Sequence, residues 1–200
     1  MRNKIKFKQI LVSSVLLYSC TSTKNISKYY FKNQKSLDSI QQFYKQLYHQ
    51  KPFSIEFTDK SFNNVSLEIF TDTFKYVYEF GINEKRMEDT LQKYQFPATG
   101  IKKLLSQMQL IHCTWINTLD YYVDRKKNFL VFMSIRPTLL TTPFTNKKYY
   151  IITYFQQPQY YDDEGILLNN RKRKNIRKIN NDIFRRITDK VAYTISDRFR

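Results

Sequence analysis

Few residues of this chain have side chains suited to chemistry, and they are scattered: two cysteines, two histidines, three glycines and one short acidic run in 200 residues. His112 adjoins Cys113. In a strand the two side chains would point to opposite faces, so adjacency alone does not make a nucleophile and its base. Cys113 lies in the strand-like run Leu110-Ile111-His112-Cys113-Thr114-Trp115 and is expected to be a small buried core residue. Gly81, Gly100 and Gly165 are too few and too far apart for a glycine-rich phosphate loop or a G-x-S-x-G elbow. Metal-ligand spacings such as C-x-x-C and H-E-x-x-H do not occur. Asp162-Asp163-Glu164-Gly165 lacks the alternating oxygen ligands of a calcium loop, so a solvated turn or a salt-bridge partner for Arg171 to Lys174 is the expectation. On this basis no catalytic residue, metal or cofactor is assigned; paired carboxylates assembled by folding are left to the fold to reveal.

Charge is more informative. The net charge is +17, and seven of the eleven arginines (Arg171, Arg173, Arg177, Arg185, Arg186, Arg198 and Arg200) fall in the last thirty residues. Abundant Lys, Asn, Ile, Tyr and Phe fit an AT-rich coding bias, but clustered arginine does not. The last thirty residues hold eleven basic and three acidic side chains, so the positive charge is concentrated at one end of the chain.

The amino terminus reads as an address. Arg2, Lys4, Lys6 and Lys8 precede an apolar run from Ile10 to Tyr18, followed by Ser19-Cys20, the order of a secretory leader. At about nine residues the run would cover roughly 14 Å as a helix, about half the hydrocarbon thickness, which is too short for a spanning anchor. Leu17-Tyr18-Ser19-Cys20 resembles the lipobox of bacterial lipoproteins, with Tyr18 where a small residue is usual. The resemblance implies that the Cys20 thiol is diacylated and the chain cut before it, and that a third acyl chain is added to the new amino group. It also implies attachment to a membrane through those chains. Thr21, rather than Asp, after the cysteine resembles the pattern that permits transfer to an outer membrane, facing the periplasm. Loss of residues 1–19 would leave 181 residues with net charge +13, enough for one domain with its own core. With Cys20 acylated, Cys113 has no partner for an intrachain disulfide.

The elements that must position these groups follow from periodicity. Polar Thr21 to Lys35 is expected to be a flexible tether. Ser36 should cap a helix to about His49, with Leu37, Ile40, Phe43, Tyr44, Leu47 and Tyr48 on one face. Alternation then predicts strands at Phe53–Phe57, Val65–Ile69 and Phe74–Phe80. Two helices should follow, one from Asn83 to Tyr94 and one containing Ile101, Leu104, Leu105 and Met108. Three more strands, near Ile111–Val123, Phe129–Ile135 and Tyr149–Phe155, complete the set. Ile176, Ile179, Ile183, Ile187, Val191 and Ile195 recur at threes and fours, predicting a closing helix from Arg173 to Ser196. The expected fold is α+β: a largely antiparallel sheet of about six strands in two three-stranded sets, helices on one face and solvent on the other. Residues 1–19 would be the leader, 20–35 the acylated cysteine and tether, and 36–200 one domain ending in a basic amphipathic helix.

On that helix Arg171, Arg173, Lys174, Arg177, Lys178, Arg185 and Arg186 form the candidate binding set. They are either a solvated face behind a docked isoleucine stripe or a surface for anionic lipid or an acidic protein. Nucleic acid suits the charge but not an exported protein. The tyrosine doublets Tyr149-Tyr150 and Tyr160-Tyr161 suit sugar stacking or a protein interface where one ring faces out, and core packing where it does not. The sequence therefore favours a lipid-anchored envelope protein that binds rather than catalyses. An immunity-type inhibitor of a toxin and an envelope-polymer hydrolase are the alternatives.

Overall fold

The structure is a computed structural model. It describes the backbone of residues 3–123, 126–136, 149–172 and 174–196, and the side chains of residue 26 onward in those ranges except Val123. The chain divides into two units, Met1–Leu37 and Asp38–Arg200.

Helix α1 spans Asn3–Gln50. Residues 21–35, expected to be a tether, are helical within it. The reason is an apolar stripe diluted by polar neighbours: Ile26, Tyr30, Leu37, Ile40, Tyr44 and Leu47 recur at helical spacing and are all buried. In the first unit the Tyr30 and Phe31 rings meet edge to face at 5.3 Å, and Asn33 Nδ2 donates to the Tyr29 carbonyl at 2.9 Å.

The second unit is α+β, built on strands β1 (Phe53–Phe57), β2 (Asn64–Phe70), β3 (Lys75–Gly81), β4 (Cys113–Val123), β5 (Lys126–Ile135) and β6 (Tyr149–Phe155). Helices α2 (Lys85–Lys93) and α3 (Ala98–Leu110) separate the two sets. After β6 come β7 (Tyr160–Tyr161), β8 (Leu167–Leu168), β9 (Lys178–Ile179), β10 (Asp182–Ile183), β11 (Arg185–Arg186) and β12 (Val191–Ser196). The main sheet has eight strands rather than six, in the order β11-β12-β6-β5-β4-β1-β2-β3, with antiparallel neighbours throughout. Two meanders, β1-β2-β3 and β4-β5-β6, lie with their first strands side by side, and the chain end adds β12 and β11 beyond β6.

Register explains the core. Leu67 pairs with Ile55, Ile55 with Ile116, Ile116 with Met133, Met133 with Ile152 and Ile152 with Tyr193. This row crosses six strands, and every member is buried. Helical elements cover the same face. The Tyr44 ring meets Phe53 at 5.0 Å and its hydroxyl donates to the Phe53 carbonyl at 2.5 Å. Phe96, just after α2, packs on Phe53 at 5.4 Å, and Gln109 of α3 donates to the Phe62 carbonyl at 2.8 Å.

The expected closing helix is absent: residues 174–196 contain no helical residue among those described. Asn180 and Asn181 have φ of 51° and 66°, joining β9 to β10 with Ile179 opposite Asp182. Consecutive asparagines with positive φ form the two-residue turn whose twist suits a hairpin, and the branched Ile, Val and Thr around them favour strands. The isoleucine spacing therefore does not make one stripe: Ile179 is buried, while Ile176 and Ile183 are exposed. Ile179, Phe184 and Ala192 of this segment, with Leu167 of β8, join Trp115, Tyr121, Leu130, Phe132, Ile151 and Phe155 in one buried cluster. The second face of the β4-β5-β6-β12 half, expected to be solvated, is covered by the chain's own end.

Cys113 is fully buried, with its thiol 3.4 Å from the Trp115 carbonyl. Burial pushes this thiol up to about 12. It should resist a thiol reagent in the native state and react fully once the chain is denatured; rapid native labelling would contradict this. The folded state holds the proton more tightly than the unfolded state. This contribution to stability is therefore intact below pH 9.0 and declines as pH rises towards about 12. Cys113→Ala should flatten the onset of that decline in a pH series of thermal melts.

Candidate functional site: a cationic groove at one end of the sheet

The end of the β4–β5 hairpin, the exit from β6 and the loop after β8 come together around a groove of about 1030 Å³. The hairpin contributes Tyr122, Lys126 and Asn128; the β6 exit contributes Gln157, Pro158, Gln159 and Tyr160; the later loop contributes Asn169, Asn170, Arg171, Lys172 and Arg177. Each part is held by local structure. Tyr121 pairs with Asn128 in the hairpin, and Tyr121 is buried against Phe155 at 5.8 Å. Asn128 Nδ2 donates to the Lys126 carbonyl at 3.0 Å. The Asn169 amide donates to the Asn175 carbonyl at 2.9 Å, closing the loop that carries Arg171 and Lys172.

Arg177 is the best-fixed cation of the groove. Its amide donates to the Leu167 carbonyl at 2.8 Å, its guanidinium lies over the Tyr121 ring at 5.2 Å, and its Nη1 donates to Gln159 Oε1 at 3.1 Å. Gln159 is itself braced, its Nε2 donating to the Gln157 carbonyl at 2.7 Å. Burial pulls the Arg177 pKa down, while Tyr121 and Tyr161 pull it up. An arginine remains charged at neutral pH through such shifts.

The described lining combines four cations with amides and phenols, and among the described residues it contains no carboxylate, imidazole or thiol. What it can do is hold an anion. Elsewhere in the described residues Lys75, Arg86, Lys102, Lys127 and Arg186 each lie against a carboxylate, on Glu68, Glu84, Glu88, Asp120 and Asp189 respectively. Among the described residues, none of the groove's four cations does.

Of the basic residues picked out by sequence, Arg171 and Arg177 line the groove. Lys174 and Lys178 are exposed and outside its lining. Arg185 and Arg186 are exposed on the edge strand β11, where Arg186 lies 5.8 Å from the Tyr161 ring. Because there is no helix among the described residues of this segment, the six described cations do not form one face. Arg173 lies outside the described residues, and so does the side chain of Cys20. The sequence reading missed Lys126, Tyr122, Gln157, Gln159 and the asparagines; the Tyr160-Tyr161 doublet was the one visible hint.

The acidic run forms a turn. Asp162 Oδ1 accepts from the Ile166 amide at 2.7 Å, and Gly165 takes φ +77° there. Among the described residues no group of three metal-ligating side chains converges, and no helix is long and apolar enough to cross a membrane. No protein-family model, curated protein or solved structure matches the chain.

Proposed function

We propose that this chain is a lipid-anchored protein of the bacterial cell envelope that acts by binding an anionic partner through the groove at the β4–β5 hairpin end. The observation that carries the binding reading is the lining itself: Lys126, Arg171, Lys172 and Arg177 converge with no carboxylate among the described lining residues. Supporting the anchor and the export route is the order of charges, apolar run and Leu17-Tyr18-Ser19-Cys20 at the amino terminus.

Changing Lys126, Arg171, Lys172 and Arg177 together to Gln tests the reading. Retention of the wild type on immobilised dextran sulfate should fall as salt is added, because exposed charges are screened. At about 1 kcal/mol per cation near an anionic surface, the quadruple variant should bind up to roughly a thousandfold more weakly. Its far-ultraviolet circular dichroism should stay unchanged. Equal retention of the two proteins at every salt concentration would remove the groove from the function.

A further inference from the structure

We propose, resting on that binding reading, that the groove is a site for an acidic oligosaccharide, with Arg177 pairing a sugar carboxylate or phosphate and Tyr122 and Tyr160 lying against sugar rings. Three observations converge on a sugar rather than on an acidic peptide or a bilayer. The first is shape: the cations line a concavity of about 1030 Å³ rather than a flat or convex face, and a bilayer is met by the latter. The second is the company that the charges keep. Tyr122 and Tyr160 are exposed aromatic residues in the lining. A phenol ring offers an apolar face for the C–H face of a pyranose and a hydroxyl for its rim. The lining also carries side-chain amides at Asn128, Gln157, Gln159 and Asn169. An amide can donate and accept, which matches sugar hydroxyls that do both; Asn128 and Gln159 already direct such bonds within the protein, which leaves Gln157 and Asn169 to meet a ligand.

The third observation is Arg177. Its guanidinium is half-buried and oriented by Gln159 and the Tyr121 ring, yet among the described residues it pairs with no carboxylate. A desolvated charge is costly unless paired, and a planar guanidinium held in place can form the two parallel hydrogen bonds that a carboxylate or phosphate accepts. Lys126, Arg171 and Lys172 supply further charge around it, as a polymer with an acid on successive sugars would require.

The test uses the chain with Cys20→Ser, which carries no acyl group, in titration calorimetry with short oligogalacturonate, phosphomannan fragments, a neutral galacto-oligosaccharide, polyglutamate and phosphatidylglycerol vesicles. At least one of the two acidic sugars should bind about tenfold or more tightly than the neutral sugar, since charged hydrogen bonds are about twice as strong as neutral ones, and more tightly than polyglutamate, which has no sugar ring for Tyr122 and Tyr160. The preferred one tells carboxylate from phosphate. Tyr160→Ala and Tyr122→Ala should each weaken the acidic sugar several-fold, up to about tenfold, and leave polyglutamate binding unchanged. Arg177→Met should weaken it about tenfold or more, with partial recovery in Arg177→Lys. If Arg177→Met does not fold, Lys172→Gln and Tyr160→Ala alter exposed side chains and decide the matter. Polyglutamate or vesicles bound more tightly than either sugar, with both tyrosine variants unaffected, would overturn the oligosaccharide assignment and leave the anion-binding function standing. Equal binding of the neutral sugar would overturn the role of the cations. If no anionic probe binds, both readings fail.

Discussion

Phe184→Ala should cost about 3–5 kcal/mol of stability, whereas Ile183→Asp, one residue earlier, should cost about 1 kcal/mol or less. The contrast follows from the hairpin at Asn180-Asn181. It places Phe184 in the cluster under β4, β5 and β6, with its ring 6.3 Å from Phe132, and leaves Ile183 exposed on β10. Removing a buried phenyl group loses transfer free energy and leaves a cavity lined by Leu167, Phe132 and Ile179, which the sheet cannot collapse to fill. A loss of that size is a third or more of a typical domain's stability. Urea unfolding followed by Trp115 fluorescence reads both variants, because Trp115 stacks on Phe132 at 6.1 Å within the same cluster. A docked terminal helix predicts the reverse, with Ile183 in the packed stripe. Unfolding by Ile183→Asp together with a neutral Phe184→Ala would show that the chain end packs as that helix.

The same residues show where sequence reading succeeds and where it stops. Strands β1, β4, β5 and β6 are legible because Phe53, Ile55 and Phe57, like Met133 and Ile135, repeat with a period of two and face one core. The end of the chain is ambiguous for a physical reason. Isoleucines at 176, 179, 183 and 187 fit one face of a helix as well as strands separated by turns, and the side-chain pattern contains no term for the turn between them. Asn180-Asn181 carried that information, since adjacent residues that tolerate positive φ mark a hairpin. In α1 the opposite error arises: Ile26 and Tyr30 sit among so many Ser, Thr, Asn and Lys that composition outweighs periodicity. The groove was the least legible feature. Lys126 and Arg177 lie fifty-one positions apart, and they meet because the β4–β5 hairpin ends beside the exit from β6. That closeness is a property of sheet order, which no local spacing encodes. Apart from the Tyr160-Tyr161 doublet, the density of arginine near the chain end pointed towards it, and two of those seven arginines, Arg185 and Arg186, belong to the edge strand instead.

The other large effect concerns the proposed lipid anchor. Cys20→Ser should change the protein from one that pellets with membranes to one that does not, because serine lacks the thiol that forms the thioether to the diacylglyceryl group. One acyl chain holds a protein only marginally, at about 0.8 kcal/mol per buried CH₂, whereas two or three hold it firmly. The expected change in partitioning is therefore many orders of magnitude. Mass spectrometry of the wild type should find the chain beginning at Cys20 with the added mass of its acyl groups. The variant should appear either with residues 1–19 intact or as an unlipidated soluble species. The backbone around Cys20 is helical within Asn3–Gln50. An unmodified thiol at residue 20 of the wild type, or a cut elsewhere, would remove the lipid anchor.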